Sequence, residues 1–256
     1  MAGNYDLHLL TLPQVASLLR VEGTWPGALI LKAGWYRARA RPWNEMVSAP
    51  MVRLERGGAE FLIAARDRLI EITGEDLYSP ALYPGSTRVW RRAGFVEHAE
   101  LIVMERSLGA VPAAPGAGHH VNVDVVPEWE AILEIDRAAF DGFWGMGRLG
   151  LEEALLTNPT TTLLVVSSNE STDGYAIVGS QWGVAYLHRI AVRPERTGQG
   201  VGRALVDSAM TWGSAHGAKS MVLNVRGDNR QALGLYHKSG FTNTGTRLQI
   251  LRHPAC

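Results

Sequence analysis

The stretch Arg196–Val206, RTGQGVGRALV, sets three glycines in alternation between a β-branched strand pattern and an apolar helical repeat. Glycine loses more backbone freedom on folding than any other residue, so such a cluster needs a compensating use. Bare backbone at a strand-to-helix junction has one. Its N–H groups converge, the helix N-terminus adds partial positive charge, and together they form a site for an oxyanion. A tight turn alone needs fewer glycines, so anion binding is the stronger reading. A Walker loop is excluded, because Arg203-Ala204 follows Gly202 where Lys-Ser/Thr is required. A dinucleotide fingerprint fits poorly. Counted from Gly198, the position of its last glycine holds Arg203, and Ala218-Lys219-Ser220-Met221 stand where an acidic residue is expected.

Around this junction the pattern alternates between strands and helices. Apolar spacing predicts a helix over Pro127–Phe140 and strands over Thr160–Val166, Tyr175–Gly179 and Ala185–Val192. A helix follows over Gly202–His216, with Leu205, Ala209 and Trp212 on one side and Gly217 as its C-terminal stop. Then come a strand over Met221–Val225, a helix over Asn229–Ser239 and a last strand containing Leu248–Leu251. The N-terminal half suggests a helix over Gly58–Arg68, a strand over Leu69–Thr73 (LIEIT) and extended chain over Ala28–Tyr36. The fold class expected is α/β (α+β) with a mixed sheet.

Residues 109–118, GAVPAAPGAG, contain only small residues and prolines and read as a linker between a lobe at 1–108 and a lobe at 119–256. The two lobes share a signature. Aligning Gly94-Phe95 with Gly240-Phe241 brings Trp90 onto Tyr236 and Arg92 onto Lys238, and both segments run on into an alternating strand. That self-similarity suggests two copies of one unit. Lys plus Arg and Asp plus Glu are equal at 25 each, so no global field recruits nucleic acid or an anionic membrane. The single cysteine is Cys256, which speaks against a disulfide framework and a zinc–thiolate site, and no metal is expected. The first residues show neither a signal peptide nor a membrane span, so a cytoplasmic protein is expected. The sequence specifies no oligomeric state.

Three motifs in order resemble the GNAT N-acetyltransferase superfamily: IAVRPE at Ile190–Glu195, the glycine loop, and Asn229-Arg230-Gln231-Ala232-Leu233-Gly234-Leu235-Tyr236 followed by Gly240-Phe241. The family's loop reads Arg/Gln-x-x-Gly-x-Gly/Ala. Here Thr197 takes the Arg/Gln slot, with Arg196 beside it. The resemblance covers about residues 120–253 and is nearest to enzymes that acetylate ribosomal-protein N-termini. It implies a mixed, mostly antiparallel GNAT-type sheet flanked by helices, in two tandem lobes, and acetyl-CoA as co-substrate. It also implies that Arg196, Thr197, Gly198, Gln199, Gly200, Val201, Gly202 and Arg203 hold the diphosphate. Backbone groups of Ile190, Ala191 and Val192 would flank the pantetheine arm, and Asn229 would hold that arm.

Acetyl transfer to an amine also needs an acid for the departing thiolate and a base for the amine. Tyr236 is the acid candidate, since a phenol of pKa near 10 can protonate a thiolate of pKa about 8.5. It reads equally as a core aromatic, and Asn229 as a helix cap. His188 is the base candidate or a hydrogen-bonded structural group. Strand alternation puts it on one face with Tyr186, Ile190 and Val192. The resemblance implies that Asp141–Glu153 shapes the acceptor site. There Phe143, Trp144 and Met146 line a pocket or fill core, with Arg148, Glu152 or Glu153 orienting charge. The acceptor is an amine on a peptide N-terminus or a small molecule. The alternative function is a non-catalytic protein that binds or senses an acyl-CoA. In the N-terminal lobe Trp90 replaces the tyrosine, Tyr83 aligns with Asn229, and Arg56-Gly57-Gly58-Ala59 is at most a remnant of the loop. That lobe is expected to be a degenerate, non-catalytic copy.

Overall fold

The computed structural model describes residues 11–109, 118–123, 126, 128–168 and 171–255. The chain divides into two compact units, Met1–Glu100 with Arg247–Cys256, and Leu101–Thr246. This differs from the expected 1–108 and 119–256. The cause is strand pairing. The long strands β6 (Val96–Ser107) and β12 (Thr242–His253) each begin in one unit and end in the other. The interior of the expected linker, and Pro127 of the expected helix, lie outside the described residues.

In the first unit, β1 (Arg20–Glu22), β2 (Leu29–Ala33), β3 (Tyr36–Pro42) and β4 (Pro50–Arg56) form an antiparallel run. The short β5 (Leu77–Tyr78) pairs in parallel with β4 and antiparallel with the end of β12. Helix α1 (Leu12–Leu18) opens with a capping box between Thr11 and Gln14. Helix α2 covers Ala59–Thr73 and ends at Gly74 in the left-handed region. The expected strand Leu69–Thr73 is therefore the last turn of that helix. Its apolar run looked strand-like, but Leu69 continues the buried stripe of Phe61, Leu62 and Ala65, and tertiary burial overrides local β-propensity. Helix α3 (Thr87–Arg92) then leads into β6.

The second unit has the same plan. Antiparallel β7 (Val121–Val123), β8 (Thr160–Ser168), β9 (Ser171–Gln181) and β10 (Val184–Val192) precede β11 (Ser220–Arg226), which is parallel to β10 and antiparallel to β6. Helices α4 (Trp129–Ala139) and α5 (Arg148–Leu155) pack one face of this sheet, and α6 (Val201–Ala215) packs the other. Both faces are covered, so β8 reads as a continuous apolar run. Leu163 and Val165 face α4, and Leu164 and Val166 face α6. Helix α7 (Arg230–Lys238) leads into β12.

The paired signature has a common geometry. Gly94 and Gly240 both adopt positive φ after their helices, at 83° and 81°. The amide of Phe95 donates to the Trp90 carbonyl at 3.1 Å, and that of Phe241 to the Tyr236 carbonyl at 2.9 Å. Each aromatic pair is T-shaped. Among the described residues no helix is long and apolar enough to cross a membrane. No group of three or more His, Cys, Asp or Glu among them is placed to hold a metal ion.

Candidate active site

The chain leaves β10 at Val192, makes a 3-10 turn over Pro194–Arg196 and enters α6 through Thr197–Gly200. Gly198 and Gly200 have φ of +78° and +92°, a conformation that L side chains resist. A Cβ on Gly198 would meet nothing within 4 Å, so that glycine is there for its backbone angle and its bare surface. Gly202 serves differently. A Cβ there would lie 3.3 Å from Leu235 of α7 and 3.6 Å from Val192, so it lets α6 approach its neighbours. The first intrahelical acceptor is the Gly200 carbonyl, which takes the Ala204 amide at 2.9 Å. The amides of Val201, Gly202 and Arg203 therefore stand without intrahelical partners at the positive end of a long helix.

The side chains around the loop are engaged in holding it. Arg196 donates to buried Asp173 at 3.0 Å and to Ser168 at 3.1 Å. The Thr197 hydroxyl turns back toward the Arg193 carbonyl at 3.5 Å. Gln199 donates to the Glu195 carbonyl at 2.7 Å, and Arg203 is held by Asp207 at 2.8 Å. These bonds fix the side chains that flank the loop's backbone amides.

Beside the loop the sheet opens. Pairing of β10 with β11 runs only from Val184↔Ser220 to Leu187↔Leu223. Beyond it, Arg189–Val192 stay paired with β9 alone among the described residues. The register against β9 slips between Leu187 and Arg189, which makes His188 the extra residue of a β-bulge. A small cleft of about 110 Å³ lies at this divergence, lined by Tyr186, Leu187, His188, Val222, Leu223 and Asn224.

The bulge corrects the expected facing of β10. Leu187 lies in the core under α6, and Ile190 and Val192 pack against that same core, while Ala191 belongs to the core under α4. Ile190 and Val192 therefore do not share a face with His188. That imidazole meets Asn158 through Nε2 and stacks on Tyr186 with ring centroids 6.0 Å apart. A Cβ on Gly179 would come within 2.8 Å of His188 Nε2, so Gly179 provides its space. Burial holds the imidazole below the ordinary histidine value, which favours the neutral form. If His188 accepts the amine's proton, the acid limb it contributes to the kcat–pH profile falls below pH about 6.5. That limb should vanish in His188→Gln; a profile unchanged by the substitution contradicts the role.

Tyr236 sits on α7 with 5% of its surface exposed. Burial pushes its phenol up to about 12, with the positive charge of Arg189 working in the opposite direction. The phenol therefore holds its proton throughout the neutral range. Asn229 caps α7, its Oδ1 accepting the Ala232 amide at 3.0 Å. Its side-chain NH₂ is not used in that bond.

The segment after α4 divides by residue. Phe143 and Trp144 are half-buried and T-shaped to each other, and the Arg226 guanidinium lies 5.1 Å from the Trp144 ring. Met146 packs into the core under α4, and Arg148 pairs with Glu152 at 2.8 Å over Trp129. Trp144 thus lies against Arg226 at the end of β11, whereas Met146 contacts the core and Arg148 lies on α5 with Glu152.

Two residues that sequence reasoning passed over organise this region. Asp136 of α4 is fully buried and accepts two bonds from Arg189, each at 2.7 Å. It also accepts the Tyr175 hydroxyl and, at 2.7 Å, the Met146 amide. Arg189 in turn donates to the Trp144 carbonyl at 2.9 Å and covers the Phe140 ring at 3.5 Å. The signal was present: Asp136 stands four residues after Ile132 on the apolar stripe, where a carboxylate demands a buried cation.

Comparison with known proteins bears on the family and the fold. The acetyltransferase (GNAT) family model matches residues 129–241. A mycothiol acetyltransferase of Kineococcus radiotolerans is 30% identical over 209 residues, covering 78% of this chain and 69% of the relative. The chain belongs to the GNAT acetyltransferase family. A Bacillus subtilis protein named for acetylation of the alanine of ribosomal protein bS18 is 32% identical over 116 residues, 45% of this GNAT chain and 76% of that one. Among solved structures, a tandem GNAT protein from the clavulanic acid biosynthesis pathway superposes with a TM-score of 0.62 at 14% identity. It covers 100% of this chain and 97% of its own, a likeness of fold.

Proposed function

We propose that this GNAT protein transfers an acetyl group from acetyl-CoA to a primary amine by direct attack of the amine on the thioester. The observation that carries this is the continuity of two features. The unpaired edge of β10 beyond the His188 bulge leads straight to the bare amides at the head of α6. An extended pantetheine arm fits the first and a diphosphate the second. When bound, the thioester supplies an activated acetyl group.

The chain's own residues do the rest. The amides of Gly200, Val201, Gly202 and Arg203 hold the diphosphate, and backbone groups of Ile190–Val192 flank the arm, where an N–H polarises the carbonyl. His188, kept neutral by burial, takes the proton that the amine loses as its nitrogen bonds to the acyl carbon. Tyr236 supplies a proton to sulfur as the carbon–sulfur bond breaks. Phe143 and Trp144 border the acceptor. Across the cleft, Asn224 offers a neutral amide. The unit carrying Trp90 lacks an equivalent acid, because an indole N–H does not ionise near neutrality. It serves as a non-catalytic copy.

The relative spanning most of the chain is named for mycothiol, whereas the one named for a ribosomal protein matches only part. That balance favours an amine on a small molecule over a peptide N-terminus. Release of free CoA thiol from acetyl-CoA, followed over a panel of small amines and N-terminal peptides, tests the reading. Turnover with a small amine is expected. Tight acetyl-CoA binding without turnover on any acceptor would favour a sensor instead.

A further inference from the structure

The glycine loop is touched from outside by one side chain ahead of β7. His119 lies half-buried, and its Nε2 is 2.8 Å from the carbonyl oxygen of Gln199. A carbonyl only accepts, so Nε2 carries the hydrogen and donates. In a planar trans peptide, C=O and the following N–H point in opposite directions. Fixing the Gln199 carbonyl toward His119 therefore aims the Gly200 N–H the other way. Gly200 is the N-cap of α6 at φ +92°, and glycine tolerates this plane in more than one orientation. A rotated plane would set a carbonyl oxygen where an amide should meet the anion.

The geometry points to His119 as a positioning residue that selects the amide-presenting orientation of the Gln199–Gly200 peptide. It acts on the diphosphate of CoA without contacting it. The Gln199 side chain, tied to the Glu195 carbonyl at 2.7 Å, holds the same residue from the other end. Neither bond touches the β10 edge, so the effect is confined to the nucleotide end of the co-substrate. This inference rests on the reading of the loop as a diphosphate site.

Titration calorimetry of the full chain with CoA, and with pantetheine lacking the diphosphate and nucleotide, provides the test. His119→Ala is expected to raise the Kd for CoA about tenfold, the scale of one hydrogen bond, and to leave the Kd for pantetheine unchanged. His119→Gln, which keeps a side-chain N–H donor, should restore CoA affinity to within about twofold. Unchanged affinity for CoA in His119→Ala, or an equal loss for both ligands, overturns the role of His119. Absence of CoA binding by the unaltered protein overturns the diphosphate reading as well, so the two failures are told apart.

Discussion

Replacing Tyr236 with phenylalanine is expected to lower kcat at least about 100-fold, the usual scale for loss of a general acid, while the Kd for CoA moves less than about twofold. The prediction separates chemistry from packing. Phenylalanine keeps the ring that meets Phe241 at 5.9 Å, so the core under α6 remains filled. Only the hydroxyl is lost, and with it the proton that burial and a value of about 12 keep in place. Steady-state kinetics with saturating acetyl-CoA measures the first quantity and calorimetry the second. A variant with normal turnover removes Tyr236 from the mechanism and leaves it a core aromatic.

The second large effect concerns Asp136. Asp136→Ala should destabilise the protein by about 3–5 kcal/mol, the cost of stranding a buried charge by deleting its partner. Arg189 would lose both carboxylate bonds, and the Met146 amide would lose its acceptor. The double variant Asp136→Leu/Arg189→Met should recover much of that loss, because a dry apolar pair is often no less stable than a buried ion pair. It should not recover turnover, since the donor to the Trp144 carbonyl is gone and the 140–147 segment is no longer tied to β10. Chemical denaturation and kinetics on the single and double variants measure both. A stability loss near zero for Asp136→Ala contradicts the account of this network.

The parts of this site legible in the sequence are those set by local chemistry. Gly198 and Gly200 announced bare backbone ahead of α6, Gly202 a close approach within it, and Asn229 the start of α7. The His188 bulge was not legible. One extra residue in a strand is fixed by pairing with β9, and it flips the parity of every side chain after it, which is why Ile190 and Val192 were expected on the wrong face. The ends of β6 and β12 were hidden for a related reason, since which strand completes which unit depends on pairings between distant parts of the chain. Leu69–Thr73 shows the converse. Its β-branched residues looked extended, and packing of the Phe61–Leu69 stripe kept them helical. The bond from Arg196 to Asp173 was not legible either, since no pattern within the loop reports a partner on another strand.

The central claim is that bare amides at the head of α6 hold the diphosphate of CoA. A crystal structure of the full chain with CoA tests it most directly. The account predicts diphosphate oxygens within hydrogen-bonding distance of the amides between Gly200 and Arg203, with the pantetheine arm along Ile190–Val192. CoA bound elsewhere, with this loop bare, would contradict it.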